Sequence, residues 1–158
     1  MCSSDLQHLA GLNNTEFSPN DAAQINFLLG ELALRQGKLE RARKLLQSVH
    51  HGTLYSARAR YLLGVVATRN GDLDGAAAHF LAVAGGAADS EETAQADQRI
   101  VELARIGAAR AAYSLGRYQE AIDHYGKVSR FSEHWFTAMY ENAWAAFQAQ
   151  DYRSEEHT

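Results

Sequence analysis

A short pattern in this chain recurs after 34 residues. Five positions take part, and each keeps its residue type in both copies. The first copy consists of Leu29, Gly30, Gly37, Leu39 and Ala42, and the second of Leu63, Gly64, Gly71, Leu73 and Ala76. A fixed period of this size is typical of stacked helix-turn-helix units, each of which buries a face against the next. The chain is therefore expected to be all-α, an α-solenoid of antiparallel helical hairpins.

Glycines predict where the first helix of each unit ends. Gly37, Gly71 and Gly116 each follow an apolar pattern with helical spacing, and glycine adopts the left-handed C-cap conformation without a steric penalty. Gly116 follows Gly71 by 45 residues rather than 34. The additional residues fall near 85–95, which predicts one long helix from about Glu91 to Leu115. A short separate helix before residue 100 is the alternative.

The same signals divide the chain into about three and a half repeats. A single repeat domain over 7–152 is expected, with units at about 20–52, 53–86, 91–130 and a truncated unit at 132–152. The helix of the last unit is expected to run through Gln148. A turn should follow at Gln150, Asp151 and Tyr152, because these residues are in register with Gly116, Arg117 and Tyr118.

The two terminal hexapeptides do not fit the helical pattern beside them. Residues 1–6 and 153–158 both match translations of a common sequencing adapter, read in opposite orientations at the two ends. They are interpreted as an artefactual leader and tail. The remainder is then expected to be an internal piece of a longer bacterial protein.

At these positions the chain resembles the tetratricopeptide repeat family. The resemblance rests on the two copies of the pattern, on Phe80, and on the third-unit residues Gly116, Tyr118, Ala121 and Tyr125. It implies a right-handed superhelix whose first helices line a concave groove, and a protein-binding role without catalysis. Where the family usually has a large aromatic late in the first helix, this chain has alanine, so related families with hairpins of 36 to 40 residues stay open for parts of the array.

Composition and motifs argue against several function classes. The chain has 15 basic and 19 acidic residues, a balance that disfavours nucleic acid and anionic membranes as main partners. No run of 18 apolar residues is present, so no membrane insertion is expected. The only cysteine is Cys2, which leaves no disulfide and no thiolate metal site. The compartment, cytoplasmic or periplasmic, stays open.

No recognisable catalytic or cofactor motif occurs. The seven histidines form no His-Glu-x-x-His spacing, Gly85-Gly86 lacks the lysine of a phosphate-binding loop, and no serine lies in a nucleophile elbow. We therefore expect no catalytic residues, no metal and no cofactor.

The resemblance also implies which side chains line the groove. Register places them in three rows along the first helices of the four units. The first row is Phe27, Tyr61, Ile106 and Tyr140; the second is Glu31, Val65, Arg110 and Trp144; the third is Leu34, Thr68, Tyr113 and Phe147, flanked by Arg35 and Arg69.

Such a groove is aromatic and apolar with a few charges, and it suits a peptide or helix with apolar anchors. The expected function is a non-catalytic scaffold that binds a protein or peptide partner. Two alternatives are a regulatory or accessory region of a larger enzyme or of a secretion or envelope protein, and a module that self-associates through its open repeat ends.

Overall fold

The computed structural model describes residues 18–85 and 98–155, and the side chains of these up to residue 150. This part of the chain consists of helices joined by turns and contains no strand. The helices are α1 (Pro19–Arg35), α2 (Leu39–Gln47), α3 (Ser56–Arg69), α4 (Leu73–Ala84), α5 (Gln98–Ser114), α6 (Tyr118–Gly126) and α7 (Trp135–Glu155). The predicted all-α repeat fold is confirmed.

The helices pack as consecutive hairpins. Hairpin one is α1 with α2, hairpin two is α3 with α4, and hairpin three is α5 with α6, while α7 packs on α6. Three buried apolar clusters follow one another along the array, and each is built from neighbouring units: one joins hairpin one to α3, one joins hairpin two to α5, and one joins hairpin three to α7. Each unit therefore covers apolar surface that its neighbour would otherwise expose.

The turns inside the hairpins confirm the prediction made from the glycines. Gly37, Gly71 and Gly116 have φ values of 73°, 79° and 74°. In the first turn the Lys38 N–H donates to the Ala33 carbonyl at 2.9 Å and the Gly37 N–H to the Leu34 carbonyl at 3.1 Å. This pair of bonds is a Schellman motif, which needs a left-handed residue at the glycine position. The same two bonds recur in hairpins two and three.

Two helix starts are capped by side chains. Pro19 occupies the first position of α1, and the Ser18 hydroxyl accepts a hydrogen bond from the Asp21 N–H at 3.2 Å. The Asp72 carboxylate accepts from the Gly75 N–H at 2.9 Å at the start of α4. Both bonds satisfy amide groups that have no partner within their own helix.

Small residues on the first helices allow the second helices to approach closely. A Cβ placed on Gly30 would lie 2.7 Å from Leu46 Cγ, and one on Gly64 would lie 2.6 Å from Phe80 Cε1. Both contacts are between the two helices of one hairpin. The repeated Leu-Gly pair therefore marks the crossing point of each of these hairpins.

The third and fourth units differ in part from the prediction. Helix α5 is described from Gln98 onwards and ends at Ser114; its expected start near Glu91, the alternative short helix and the extra residues after hairpin two fall largely on 86–97, outside the described residues. Helix α7 continues to Glu155, so the turn expected at 150–152 is wrong. Gln150 stands where the other units have glycine, and a residue with a Cβ favours continuation of the helix over a left-handed turn.

Candidate interaction surface

The groove residues predicted from register lie on the first helices α1, α3, α5 and α7, but their exposure differs widely. Five of the twelve candidate side chains are exposed, five are half-buried and two are buried. The exposed ones are Arg35, Arg69, Arg110, Tyr140 and Trp144, and the half-buried ones are Phe27, Glu31, Tyr61, Val65 and Tyr113.

Two predicted groove residues belong to the core. Leu34 is 6% exposed and lies in the cluster that joins hairpin one to α3. Ile106 is 4% exposed and lies in the cluster that joins hairpin three to α7. In both cases the following unit packs against the side chain. These residues stabilise the stack, and we exclude them from the candidate surface.

A hydrogen-bonded network connects the last three helices. Arg110 on α5 donates from Nε to Glu141 Oε2 at 2.9 Å and from Nη2 to Glu141 Oε1 at 2.6 Å. The Tyr125 hydroxyl on α6 donates to Glu141 Oε2 at 2.8 Å. This two-pronged guanidinium–carboxylate geometry holds α7 against hairpin three with a defined orientation.

The network keeps its ionic groups charged. Burial by itself would raise the pKa of Glu141, but the hydrogen bonds from Arg110 and Tyr125 and the Arg110 charge outweigh it and lower that pKa. Burial, together with the bond to Glu141, raises the pKa of Tyr125 far above its ordinary value. Around neutral pH the site therefore contains a guanidinium cation, a carboxylate anion and a protonated phenol.

Tyr61 on hairpin two is influenced by the charge of this network. Its ring centroid lies 5.5 Å from that of Phe80. Burial raises the pKa of Tyr61, while the charge of Arg110 lowers it in part. We refer to Tyr61, Arg110, Tyr125 and Glu141 as the Arg110 cluster. Its members lie on three successive first helices and on α6.

Register predicts only two members of this cluster, Tyr61 and Arg110, as groove residues. Tyr125 is one of the family positions in the third unit, and Glu141 belongs to none of the predicted rows. The contact between Arg110 and Glu141 spans 31 residues. Its one sequence signal is that Glu141 lies next to Tyr140, the groove position of the following unit.

The first hairpin supplies a second group of candidate residues. The rings of Phe27 and Tyr55 lie 5.2 Å apart, centroid to centroid. Arg35 pairs with Glu31 at 2.6 Å along α1. Arg69 donates from Nη1 to the Leu34 carbonyl at 3.1 Å, so this side chain binds a carbonyl group in the last turn of α1. Arg69 therefore links hairpin two to hairpin one as well as facing solvent.

Helix α7 carries the most exposed rings among the predicted residues. Tyr140 is 67% exposed, Trp144 is 49% exposed, and Phe147, in the third row, is 54% exposed. The Trp144 and Phe147 rings meet edge to face, with centroids 6.1 Å apart. Apolar rings in such numbers on one helix are typical of surfaces that bind other proteins.

A cleft of about 330 Å³ lies between α2, α3 and α4, and its polar lining includes His51, Arg60 and His79. Arg60 Nη2 lies 3.0 Å from His51 Nδ1. Burial, followed by the charge of Arg60, lowers the pKa of His79. Neutral imidazole is accordingly favoured at that position. The cleft was not predicted, because its polar residues come from three separate segments.

Among the residues that the structure describes, no three His, Cys, Asp or Glu side chains lie together in a group that could hold a metal ion. None of their helices has the combination of length and apolar character that a membrane crossing requires.

The comparison with protein families agrees with the hairpin geometry. The sequence model of the tetratricopeptide repeat matches residues 14–51 and 50–92, which together span half of the chain. The chain belongs to the tetratricopeptide repeat family. Such repeats generally mediate protein–protein interactions, and the family is typically non-catalytic. A search among curated proteins found no match.

Proposed function

We propose that this tetratricopeptide repeat chain is a non-catalytic interaction module that binds a peptide segment or a helix of a partner protein along its first helices. One observation carries the proposal: aromatic and guanidinium side chains stay accessible at positions of the first and second groove rows on α3, α5 and α7. They are Tyr61, Arg110 and Trp144. Trp, Tyr and Arg are the residue types that most often dominate binding energy at protein interfaces.

The charged side chains along the first helices favour a ligand with apolar anchors over an acidic ligand. Glu31 and Glu141 already bind Arg35 and Arg110, so those two cations are neutralised by carboxylates of the chain itself. An acidic ligand would have to compete with these pairs. An apolar side chain could instead pack on the rings and on the flat face of Arg110, whose side chain is 57% exposed.

The proposal is tested with peptides selected from a random displayed library against the full chain. We expect Trp144→Ser and Tyr61→Ser to weaken a selected peptide by about tenfold or more, as truncated hot spots do. The matched control is Phe131→Ser, since this ring is 93% exposed and lies outside the three rows. Affinity is measured by fluorescence anisotropy with a labelled peptide.

Stability measurements on the same variants separate binding from folding. If Tyr61→Ser lowers the free energy of unfolding by about 3–5 kcal/mol, as truncation of a buried aromatic does, its role is in the core. Equal affinity of the wild type, Trp144→Ser and Phe131→Ser for every selected peptide would contradict the proposed surface.

A further inference from the structure

The cleft between α2, α3 and α4 combines apolar side chains with one guanidinium and two imidazoles. Arg60 on α3, His51 in the turn after α2 and His79 on α4 all line it. Every residue that lines the cleft belongs to the described part of the chain, and none of them is acidic. We call this site the Arg60 cleft. Its apolar lining consists of Leu46, Val49, Ala59, Leu63, Ala78 and Ala82.

The Arg60 guanidinium has N–H donors that the described residues leave unused. Its Nη2 lies 3.0 Å from His51 Nδ1 and 3.4 Å from His51 Nε2. A neutral imidazole offers one acceptor, whereas a guanidinium has five N–H donors. Within the described residues, Arg60 binds no carboxylate and no carbonyl oxygen. A half-buried cation of this kind favours an anionic ligand, since oxygen anions accept its strongest hydrogen bonds.

The next hairpin shows how an arginine at the same position is satisfied. Arg105 follows Arg60 by 45 residues, the same offset that separates Gly71 from Gly116. Arg105 donates from Nη1 to the carbonyl of Lys127, the residue that ends α6, at 3.1 Å. Arg60 makes no such bond to α4 among the described residues and contacts His51 instead. The arginine on α5 therefore closes its own hairpin, whereas the one on α3 is available at the cleft.

The charge of the Arg60 cleft matches a single negative charge. Arg60 is the one Lys or Arg among the residues that line it. Burial, followed by the charge of Arg60, lowers the pKa of His79, which favours a neutral imidazole there. Asp72, whose charge acts on His79, does not line the cleft and already accepts a hydrogen bond from the Gly75 N–H. One guanidinium beside a neutral imidazole suits a monoanionic carboxylate.

The size of the cleft favours a small molecule over a protein surface. Its volume of about 330 Å³ lies near the lower end of the range for small-molecule pockets, about 300–1,000 Å³. A standard protein interface instead covers about 800 Å² on each partner. The apolar lining next to the guanidinium calls for a ligand that has an apolar part beside its charge.

We propose that the Arg60 cleft binds a small organic acid whose carboxylate is attached to a short apolar chain. The carboxylate accepts hydrogen bonds from Arg60 and from an imidazole N–H, and the apolar chain packs against Leu46 and Leu63. None of the residues that line the cleft belongs to the predicted groove rows. The inference therefore does not depend on the groove proposed above.

The probe is hexanoate, and hexanamide is the uncharged ligand of the same length. In ¹H–¹⁵N NMR spectra of the full chain, we expect hexanoate to shift the Arg60 Nε–H signal and the amides of 59–63 and 78–82 saturably. Arg60→Met should weaken binding by about tenfold or more, and hexanamide should bind more weakly than hexanoate by a similar factor. Arg105→Met is the matched control, because Arg105 has the same register but lies outside the cleft, and it should keep the wild-type affinity.

Ala82→Phe tests the location without removing the charge. Ala82 is exposed and lines the cleft, so a ring there should fill the apolar part and weaken hexanoate by about tenfold or more while the fold is retained. Ala143→Phe is the control, since this exposed alanine on α7 lies outside the cleft. Equal hexanoate affinity of the wild type, Arg60→Met and Ala82→Phe would overturn the proposal.

Three outcomes would identify a different occupant, and each overturns the inference. Tighter binding of inorganic phosphate than of hexanoate would indicate a phosphate site. Binding of a capped peptide with one glutamate between two leucines, but not of hexanoate, would indicate a protein partner. The acids of the chain itself occupy the cleft if hexanoate binds only after their replacement by amides in Asp89→Asn, Glu91→Gln, Glu92→Gln and Asp97→Asn.

Discussion

At the scale of single residues, close packing within the first two hairpins requires glycine where two helices cross. The hydrogen-bonded network of Arg110, Tyr125 and Glu141 also stabilises the fold. Gly64 lies against the Phe80 ring, whereas Gly126 at the end of α6 has no atom within 4 Å of a Cβ placed on it. These two glycines are both helical but differ in the space around them. They therefore separate steric crowding from the general effect of adding a side chain.

Gly64→Val should lower the free energy of unfolding by about 1–3 kcal/mol, because the added methyl groups force the Phe80 ring out of its packed position. The matched Gly126→Val should change it by less than about 0.5 kcal/mol. Chemical denaturation monitored by circular dichroism measures both. Equal effects of the two substitutions would show that no close approach exists at Gly64.

The second residue-scale prediction concerns acid stability. The pKa of Glu141 is lower in the fold than its ordinary value of 4.5, so its contribution to stability is present above that value and is lost as the pH falls through the folded pKa. Glu141→Gln should have a lower free energy of unfolding than the wild type at about pH 7. The difference between the two proteins should become smaller at about pH 3.

Denaturation midpoints at the two pH values measure this change. Glu40→Gln is the control, because Glu40 is 65% exposed and its pair with Arg43 lies on the surface. If the stability difference between Glu141→Gln and the wild type is the same at both pH values, ionised Glu141 is not a source of stability.

At the scale of elements, the turns that follow α1, α3 and α5 determine where each of these helices ends. Each turn combines a left-handed glycine with the two backbone bonds of a Schellman motif. Helices α2 and α6 have nine residues each, too few to be stable alone in water, so packing against the first helices maintains them. A substitution that disrupts one of these turns should therefore destabilise the whole hairpin.

Gly71→Ala tests the turn of hairpin two. A Cβ at Gly71 meets no atom within 4 Å, but φ is 79°, so the cost is conformational rather than steric crowding. We expect a loss of about 1–2 kcal/mol in the free energy of unfolding. Gly71→Asn should cost less, because asparagine tolerates the left-handed region. Equal losses would argue against this conformation as the cause.

At the scale of the whole molecule, stability should decrease where a unit has a neighbour on one side only. Helix α3 contacts α2, α4 and α5, whereas α7 packs on hairpin three and leaves Phe136, Tyr140 and Phe147 exposed. In a repeat array each unit is stabilised mainly by its nearest neighbours. Local opening should therefore be easier in α7 than in α3.

Hydrogen–deuterium exchange measured by mass spectrometry checks this gradient. We expect amides of 138–147 to exchange at least about tenfold faster than those of 59–67, which corresponds to an opening free energy lower by about 1.4 kcal/mol. Equal protection of the two helices would mean that the exposed side of α7 does not make its local opening easier.

Local features explain why much of the fold could be predicted from the residues. The 34-residue period, the apolar spacing and the glycines Gly37, Gly71 and Gly116 specify helices, turns and hairpin units, because each acts within one unit or on the next. The exception is Gln150, where register predicts a turn and the helix continues. Glutamine favours continuation of the helix, and at this position that preference outweighs the turn predicted from register.

Only the tertiary structure decided which groove residues are accessible and what they bind. Leu34 and Ile106 share register with exposed residues, yet each is buried in a cluster that includes the following unit. Arg110 and Glu141 meet because stacking brings α5 beside α7, and nothing in their local sequence specifies that contact. Helical register determines on which face of its helix a side chain lies. Whether that side chain is buried depends on which other helices pack against that face.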